Sequence, residues 1–198
     1  MEISTQSAPE QRIVVVGVTG SGKTTTSQRL SKLLDIPHIE LDSLHWLPGW
    51  VMMETGAFRE SVAEALSGPA WVTDGNYRKA RDIIWGRATT LVWLDYSLPV
   101  ILWQLTRRTL RRIITREVLW NGNRETWRGT FFSKDSLFLW ALQSYPKWRK
   151  QYPQLLSSRE CAHLKVIRLC NRWETDAWLQ ELEIQAQPQQ GLFEYQNG

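Results

Sequence analysis

The feature that most constrains this chain lies near its start. A β-branched apolar run, Ile13–Val16, leads directly into Gly17-Val18-Thr19-Gly20-Ser21-Gly22-Lys23-Thr24. Such a run reads as a strand buried in a parallel sheet. The eight residues after it fit G-x-x-x-x-G-K-[ST] at every fixed position. A helical pattern then runs from Lys23 to Leu34, with Leu30, Leu33 and Leu34 on one face. Strand, glycine turn and helix in this order form a cradle for an anion. The glycines let the backbone turn so that successive N–H groups point inward. The helix adds its positive end. The Lys23 ammonium can reach the outer phosphates of a nucleoside triphosphate, and the Thr24 hydroxyl can coordinate Mg²⁺. Gly17, Thr19, Gly20, Ser21, Gly22, Lys23, Thr24 and Thr25 are therefore expected to bind Mg-ATP, with Lys23 catalytic.

The rest of the chain repeats the alternation. Ile39–Leu41, Trp71–Thr73, Thr90–Leu94 and Val166–Leu169 read as further strands. Helical spacing covers 57–66, 79–85, 97–116, 134–144 and 173–184, with Pro146 and Pro153 marking breaks. This pattern predicts an α/β three-layer fold with a parallel sheet. The segment 42–53, with Pro48-Gly49, reads as a loop. Residues 117–135, with Asn121, Gly122, Asn123 and Gly129, read as a loop or lid. The 198 residues suit one domain over 12–185, with flexible tails at 1–11 and 186–198.

Charge narrows the partners. The formal net charge of +4 suits a phosphate-handling enzyme as well as a nucleic-acid binder, so its distribution matters more than its total. Cys161 and Cys170 have no metal-type spacing and read as free thiols, buried or half-buried, of a reducing compartment. No stretch reaches the ~20 apolar residues of a membrane span. The polar start lacks a secretory pattern. A cytoplasmic location is the resulting expectation.

Several side chains are candidates for the chemistry. Asp74 and Asp95 each end an apolar strand, and Asp74 is the expected partner of Thr24 in holding Mg²⁺. Asp42 follows the second strand, at the carboxyl edge where ligands of open α/β sheets bind. It can take a hydroxyl proton or orient the nucleophile. His45 can polarise a substrate oxygen, whereas His38 and His163 join no constellation. Among twelve tryptophans, Trp46 and Trp50 bracket Pro48-Gly49 and can floor a pocket for a flat ligand. Arg107, Arg108, Arg111, Arg112 and Arg116 fall within about half a helix circumference. Leu102, Leu110, Ile113 and Ile114 fall opposite. Arginine forks match phosphate oxygens bidentately. Arg108, Arg111 and Arg112 are expected to be catalytic, with Arg124 and Arg128 as weaker candidates.

The P-loop, Asp74-Gly75-Asn76-Tyr77-Arg78 and the arginine helix together resemble the adenylate kinase-like nucleoside and small-molecule kinases. The resemblance is closest to bacterial adenylate kinase-related or "DNA topology modulation" proteins. It rests on Glu40-Leu41-Asp42…His45-Trp46…Pro48-Gly49-Trp50, on Trp71–Tyr77 and on Arg116-Glu117…Trp120-Asn121-Gly122-Asn123-Arg124-Glu125, in that order. It implies a P-loop NTPase fold with strand order 2-3-1-4-5 and a small lid bearing arginines. It also implies a magnesium-side role for Asp74, and acceptor binding by the stretch with Asp74, Gly75, Asn76 and Arg78; Asp42, His45, Trp46 and Trp50 complete the expected acceptor site. Asn76 and Tyr77 depart from the adenylate kinase stretch Asp-Gly-Phe-Pro-Arg, which puts AMP as acceptor in question. The expectation is an ATP-dependent kinase acting on a small molecule, with a nucleoside monophosphate as first choice and a small alcohol as second. Two other classes stay open: a DNA-backbone binder, disfavoured because no nucleic-acid motif is present, and a nucleotide switch without an acceptor.

Overall fold

The computed structural model describes residues 11–123 and 137–186. Most of the expected lid, with Arg124 and Arg128, lies outside the described residues, as do nearly all of the two tails. The strands are β1 (Arg12–Gly17), β2 (His38–Glu40), β3 (Trp46–Leu47), β4 (Val51–Met52), β5 (Trp71–Asp74), β6 (Thr90–Leu94) and β7 (Lys165–Leu169). The helices are α1 (Lys23–Leu34), α2 (Leu41–His45), α3 (Thr55–Ala65), α4 (Arg81–Arg87), α5 (Leu98–Ile114), α6 (Leu137–Leu156) and α7 (Arg172–Ala186). Five strands form one parallel sheet in the order β2-β5-β1-β6-β7. Numbered within the sheet this is 2-3-1-4-5, the implied order.

Burial accounts for the central strand. Val14, Val15 and Val16 are fully buried, as are Val72, Leu91 and Val92 on the flanking strands. Each such side chain contributes about 1.5–3 kcal/mol on leaving water. The pairing β1–β5 sets Val15 opposite Asp74, and β1–β6 sets Gly17 opposite Leu94. The ends of β1, β5 and β6 therefore meet at one edge of the sheet, where α1 begins.

Three segments differ from expectation. The segment 42–53 is structured: α2 is followed by an antiparallel hairpin of β3 and β4 around a Pro48–Trp50 turn, with Gly49 at φ +75°. Its strands are two residues long, too short for a periodic signal. Pro146 and Pro153 lie inside α6 instead of ending it. Both are exposed, and so are Leu142 and Arg149, whose carbonyls lose their helical donors to the two prolines. Those carbonyls can turn to water, while Ala141, Ser144, Trp148 and Tyr152 form the buried side. The third difference concerns α5, whose buried line is Ile101, Leu105 and Thr109. Arg108 and Arg112, four apart, continue that line and are half-buried, whereas Arg107 and Arg111 are exposed and Ile114 is 74% exposed. The arginines thus do not share one face opposite the apolar side. The helix presses Ile101 and Leu105 onto the glycine turn, and arginines 108 and 112 extend from that contact.

Of the two thiols, Cys161 is buried and Cys170, expected to be at least half-buried, is exposed because it lies just past the end of β7. No helix among the described residues is long and apolar enough to cross a membrane.

Asp95, just past β6, is buried and joins the sheet to α6. Its carboxylate accepts from Arg168 Nε at 3.0 Å and forms an ion pair with Arg149, whose Nε stands 3.0 Å away, and the Arg168 guanidinium lies 4.7 Å from the centre of the Trp93 ring. Both arginines are about half exposed. Asp95→Ala is expected to lower unfolding free energy by about 1–3 kcal/mol, because the arginines lose their shared acceptor. Asp95→Asn, which keeps one acceptor oxygen, should lose less. Urea denaturation of the two variants checks the order.

Candidate active site at the glycine turn

The turn between β1 and α1 is shaped by close approaches. A Cβ at Gly17 would stand 2.6 Å from Ser21 Oγ and 2.8 Å from the Leu94 carbonyl. Gly20, at φ +83°, would bring one to 3.0 Å from the Ile101 carbonyl and from Leu105 Cβ. Glycine fits here because α5 and β6 leave no room for a side chain. Gly22 caps α1 in the left-handed region and brings no capping side chain to the first turn. The first N–H groups of α1, which have no partner within the helix, lie at the turn. Ser21 is buried, Thr19 half-buried and Thr25 exposed.

Lys23 is half-buried and donates from Nζ to the Val18 carbonyl at 3.2 Å. Burial lowers its pKa, and the charges of Asp74 and Asp42 act against that fall. Thr24 Oγ1 donates to Asp74 Oδ2 at 2.7 Å. Asp74 is buried, and its other oxygen, Oδ1, is 3.0 Å from His38 Nε2. No pattern in the sequence singles out His38; its partner is far along the chain and meets it only through the β2–β5 pairing.

Thr24 and Asp74 offer two hard oxygen donors side by side. No group of three or more His, Cys, Asp or Glu capable of a metal cage occurs among the described residues. Two protein oxygens fit Mg²⁺, which takes one or two and completes its shell with water and substrate phosphates.

Asp42 lies in α2 and accepts from the Tyr77 hydroxyl. Burial raises its pKa; the Tyr77 hydrogen bond lowers it, Asp74 raises it, and Lys23 and Arg108 lower it. Arg108 is thus close enough to both Lys23 and Asp42 to act on each. Burial and the Asp42 carboxylate both push the Tyr77 hydroxyl far above its ordinary range, so it stays a donor. Gly75, at φ +141°, lets the Tyr77 ring approach: a Cβ there would meet the ring at 3.0 Å.

The other acceptor-side candidates divide. Asn76 uses its amide on Gly17, donating to its carbonyl and accepting from its N–H at 3.3 Å, and also accepts from Tyr152 Oη at 2.8 Å. His45 is buried among Trp46, Phe58 and Tyr77, with ring centres 4.7–4.9 Å apart, and burial lowers its pKa. Its ring belongs to the aromatic core here. Arg78 is exposed at the start of a 3-10 turn. Trp46 meets Trp50 edge to face at 5.6 Å, and Trp50 meets Trp120 likewise at 6.5 Å.

Trp120 belongs to an arm, 119–123, that docks on the hairpin. Asn123 donates to the Leu47 carbonyl at 3.0 Å and accepts from the Trp50 N–H at 3.0 Å. Asn121 donates to the Trp46 carbonyl, and Trp120 Nε1 donates to Glu40 Oε2 at 2.6 Å. Arg112 reaches over the Trp120 ring at 5.9 Å and stands 3.5 Å from Glu117, while Arg111 is 66% exposed and contacts Glu117 at 3.2 Å. Arg108 and Arg112 thus lie toward the site, and Arg111 lies toward solvent.

No protein-family model matches the sequence, and no curated protein matches it. Solved structures do. A gluconokinase from Sinorhizobium meliloti aligns with TM-score 0.51 and 20% identity over 90% of this chain and 97% of its own. Shikimate kinase from Acinetobacter baumannii, in complex with shikimate, aligns with TM-score 0.50 and 18% identity over 87% of this chain and 90% of its own. Shikimate kinase from Aquifex aeolicus gives TM-score 0.50 and 15% identity over 88% and 95%. At these identities the likeness is one of fold: the chain has the α/β architecture of the P-loop kinases, with the five-stranded parallel sheet.

Proposed function

We propose that this protein is an ATP-dependent small-molecule kinase whose acceptor is a hydroxyl group held at Asp42. One observation carries the reading: the Asp42 carboxylate, bonded to Tyr77, lies within electrostatic reach of Lys23, at the mouth of a P-loop. A phosphate acceptor, as in a nucleoside monophosphate, would meet Asp42 and Asp74 as like charges. An alcohol meets a hydrogen-bond acceptor and a base. The gluconokinase and shikimate kinase likenesses support the same class.

In this reading the turn N–H groups and Lys23 hold the β- and γ-phosphates. Thr24 and Asp74 would hold Mg²⁺, which would supply charge neutralisation at the phosphate oxygens. Asp42 accepts the acceptor's proton as its oxygen forms a bond to the γ-phosphorus. The bond from that phosphorus to the β–γ bridging oxygen breaks, and ADP leaves with the electron pair. Arg108 offsets charge on the transferring group, and Arg112 helps shape the wall at Trp120. The exposed Arg111 has a lesser part.

The test is ATP-dependent phosphorylation of a panel containing polyols, hydroxy acids and nucleoside monophosphates, with Lys23→Ala as the inactive control. Transfer to a hydroxyl compound that the control lacks supports the proposal; transfer to nucleoside monophosphates alone overturns the acceptor class. Arg108→Ala is expected to lower kcat about 10²–10³-fold, as loss of a charge-stabilising donor does. Arg111→Ala should change kcat little, and equal losses in both variants would remove the distinction between the two sides of α5. The pH profile gives a third check. Asp42 must be ionised to accept a proton, and its pKa is raised, so activity should fall on the acid side at a pH above the ordinary carboxylate value of about 4. The Tyr77 hydrogen bond favours the ionised form, so Tyr77→Phe should move that limb to still higher pH.

A further inference from the structure

We propose that His38 is the positioning residue of the metal-side acid, fixing one Asp74 oxygen so that the other faces Thr24. The inference rests on the reading of Thr24 and Asp74 as the magnesium pair. Carboxylate torsions are broad, so a carboxylate anchored at one oxygen alone can swing. Here Oδ2 accepts from Thr24 at 2.7 Å and Oδ1 lies 3.0 Å from His38 Nε2. A carboxylate only accepts, so Nε2 carries the proton and donates. The anchor is itself enclosed: the His38 side chain is 11% exposed and that of Asp74 9%. His38 and Glu40, two apart on β2, share one face of the strand.

Glu40 lies beyond His38 on the strand: its Oε1 stands 4.0 Å from His38 Nδ1, too far for a hydrogen bond, and accepts from Gln28 at 3.4 Å. Its Oε2 accepts from Trp120 Nε1 at 2.6 Å. Hydrogen bonds therefore run from Thr24 through Asp74 to His38, and outer partners of this kind orient metal ligands.

The experiment measures Mn²⁺ affinity by electron paramagnetic resonance in the presence of a non-hydrolysable ATP analogue, with Tm recorded in parallel. Mn²⁺ shares the oxygen preference of Mg²⁺, and the readout needs no turnover. Asp74→Asn tests the underlying reading: unchanged affinity there overturns both that reading and this inference. With Asp74→Asn weakened, His38→Ala is expected to lose affinity by about 10-fold. His38→Gln, whose amide can still donate, should recover most of it at similar Tm. Unchanged affinity in His38→Ala overturns the inference alone. So does a loss that tracks Tm and is not recovered by glutamine, which would make His38 a packing residue.

Discussion

The register of β1 against β5 determines where the chemistry of this molecule can sit. Parallel pairing places Val15 opposite Asp74, so the acid leaves the sheet at the level where β1 turns into the glycine loop. A one-residue slip would turn the Asp74 side chain to the other face of the sheet. The slip is opposed by the buried apolar side chains of both strands, Val14–Val16 on one and Trp71 and Val72 on the other. The Thr24–Asp74 contact is thus a product of the core and not of local preference.

Around that contact the protein builds two walls from distant sequence. One is α5, which presses on the glycine turn with Ile101 and Leu105 and carries Arg108 and Arg112 onward along the same line. The other is the β3–β4 hairpin, joined to the arm 119–123 by main-chain groups meeting the amides of Asn121 and Asn123. Side-chain amides suit this junction because each both donates and accepts. They satisfy two carbonyls of β3, a strand too short to pair further, and an N–H of the Pro48–Trp50 turn. Arg112 and Glu117 then connect α5 to the arm, so the two walls meet at Trp120.

The parts of the fold legible in the sequence are those that depend on near neighbours. The phosphate turn, the start and end of α1 and the apolar strands arise from spacing and residue type, and α1 runs over Lys23–Leu34 as its pattern predicts. The hairpin at 46–52 is hidden because two-residue strands carry no period, and α6 because proline usually signals a break. Here the broken backbone bonds face water, which only burial reveals. The face of α5 is misleading in sequence because leucines and isoleucines at 110, 113 and 114 suggest a core side, whereas the tight approach at Gly20 decides which side is buried. His38 is illegible for a different reason: its contact with Asp74 exists only once β2 and β5 are side by side. The aromatic setting of His45 is likewise fixed by Phe58 and Tyr77, from separate elements.

The grip of Asn76 on Gly17 has a consequence for how far the phosphate turn can be regarded as a portable part. The eight residues of the turn carry its chemistry, yet the amide that clasps both backbone groups of its first glycine comes from a different strand end. That amide is in turn steadied by Tyr152 of α6. A graft of 17–24 into another strand–helix unit would bring the donors without the clasp. Sites of this kind hold their geometry through supporting residues, and a graft that omits them leaves the loop loose. The smallest transplantable piece is therefore the turn together with the β5 end and its α6 prop, three segments that no continuous stretch of chain contains.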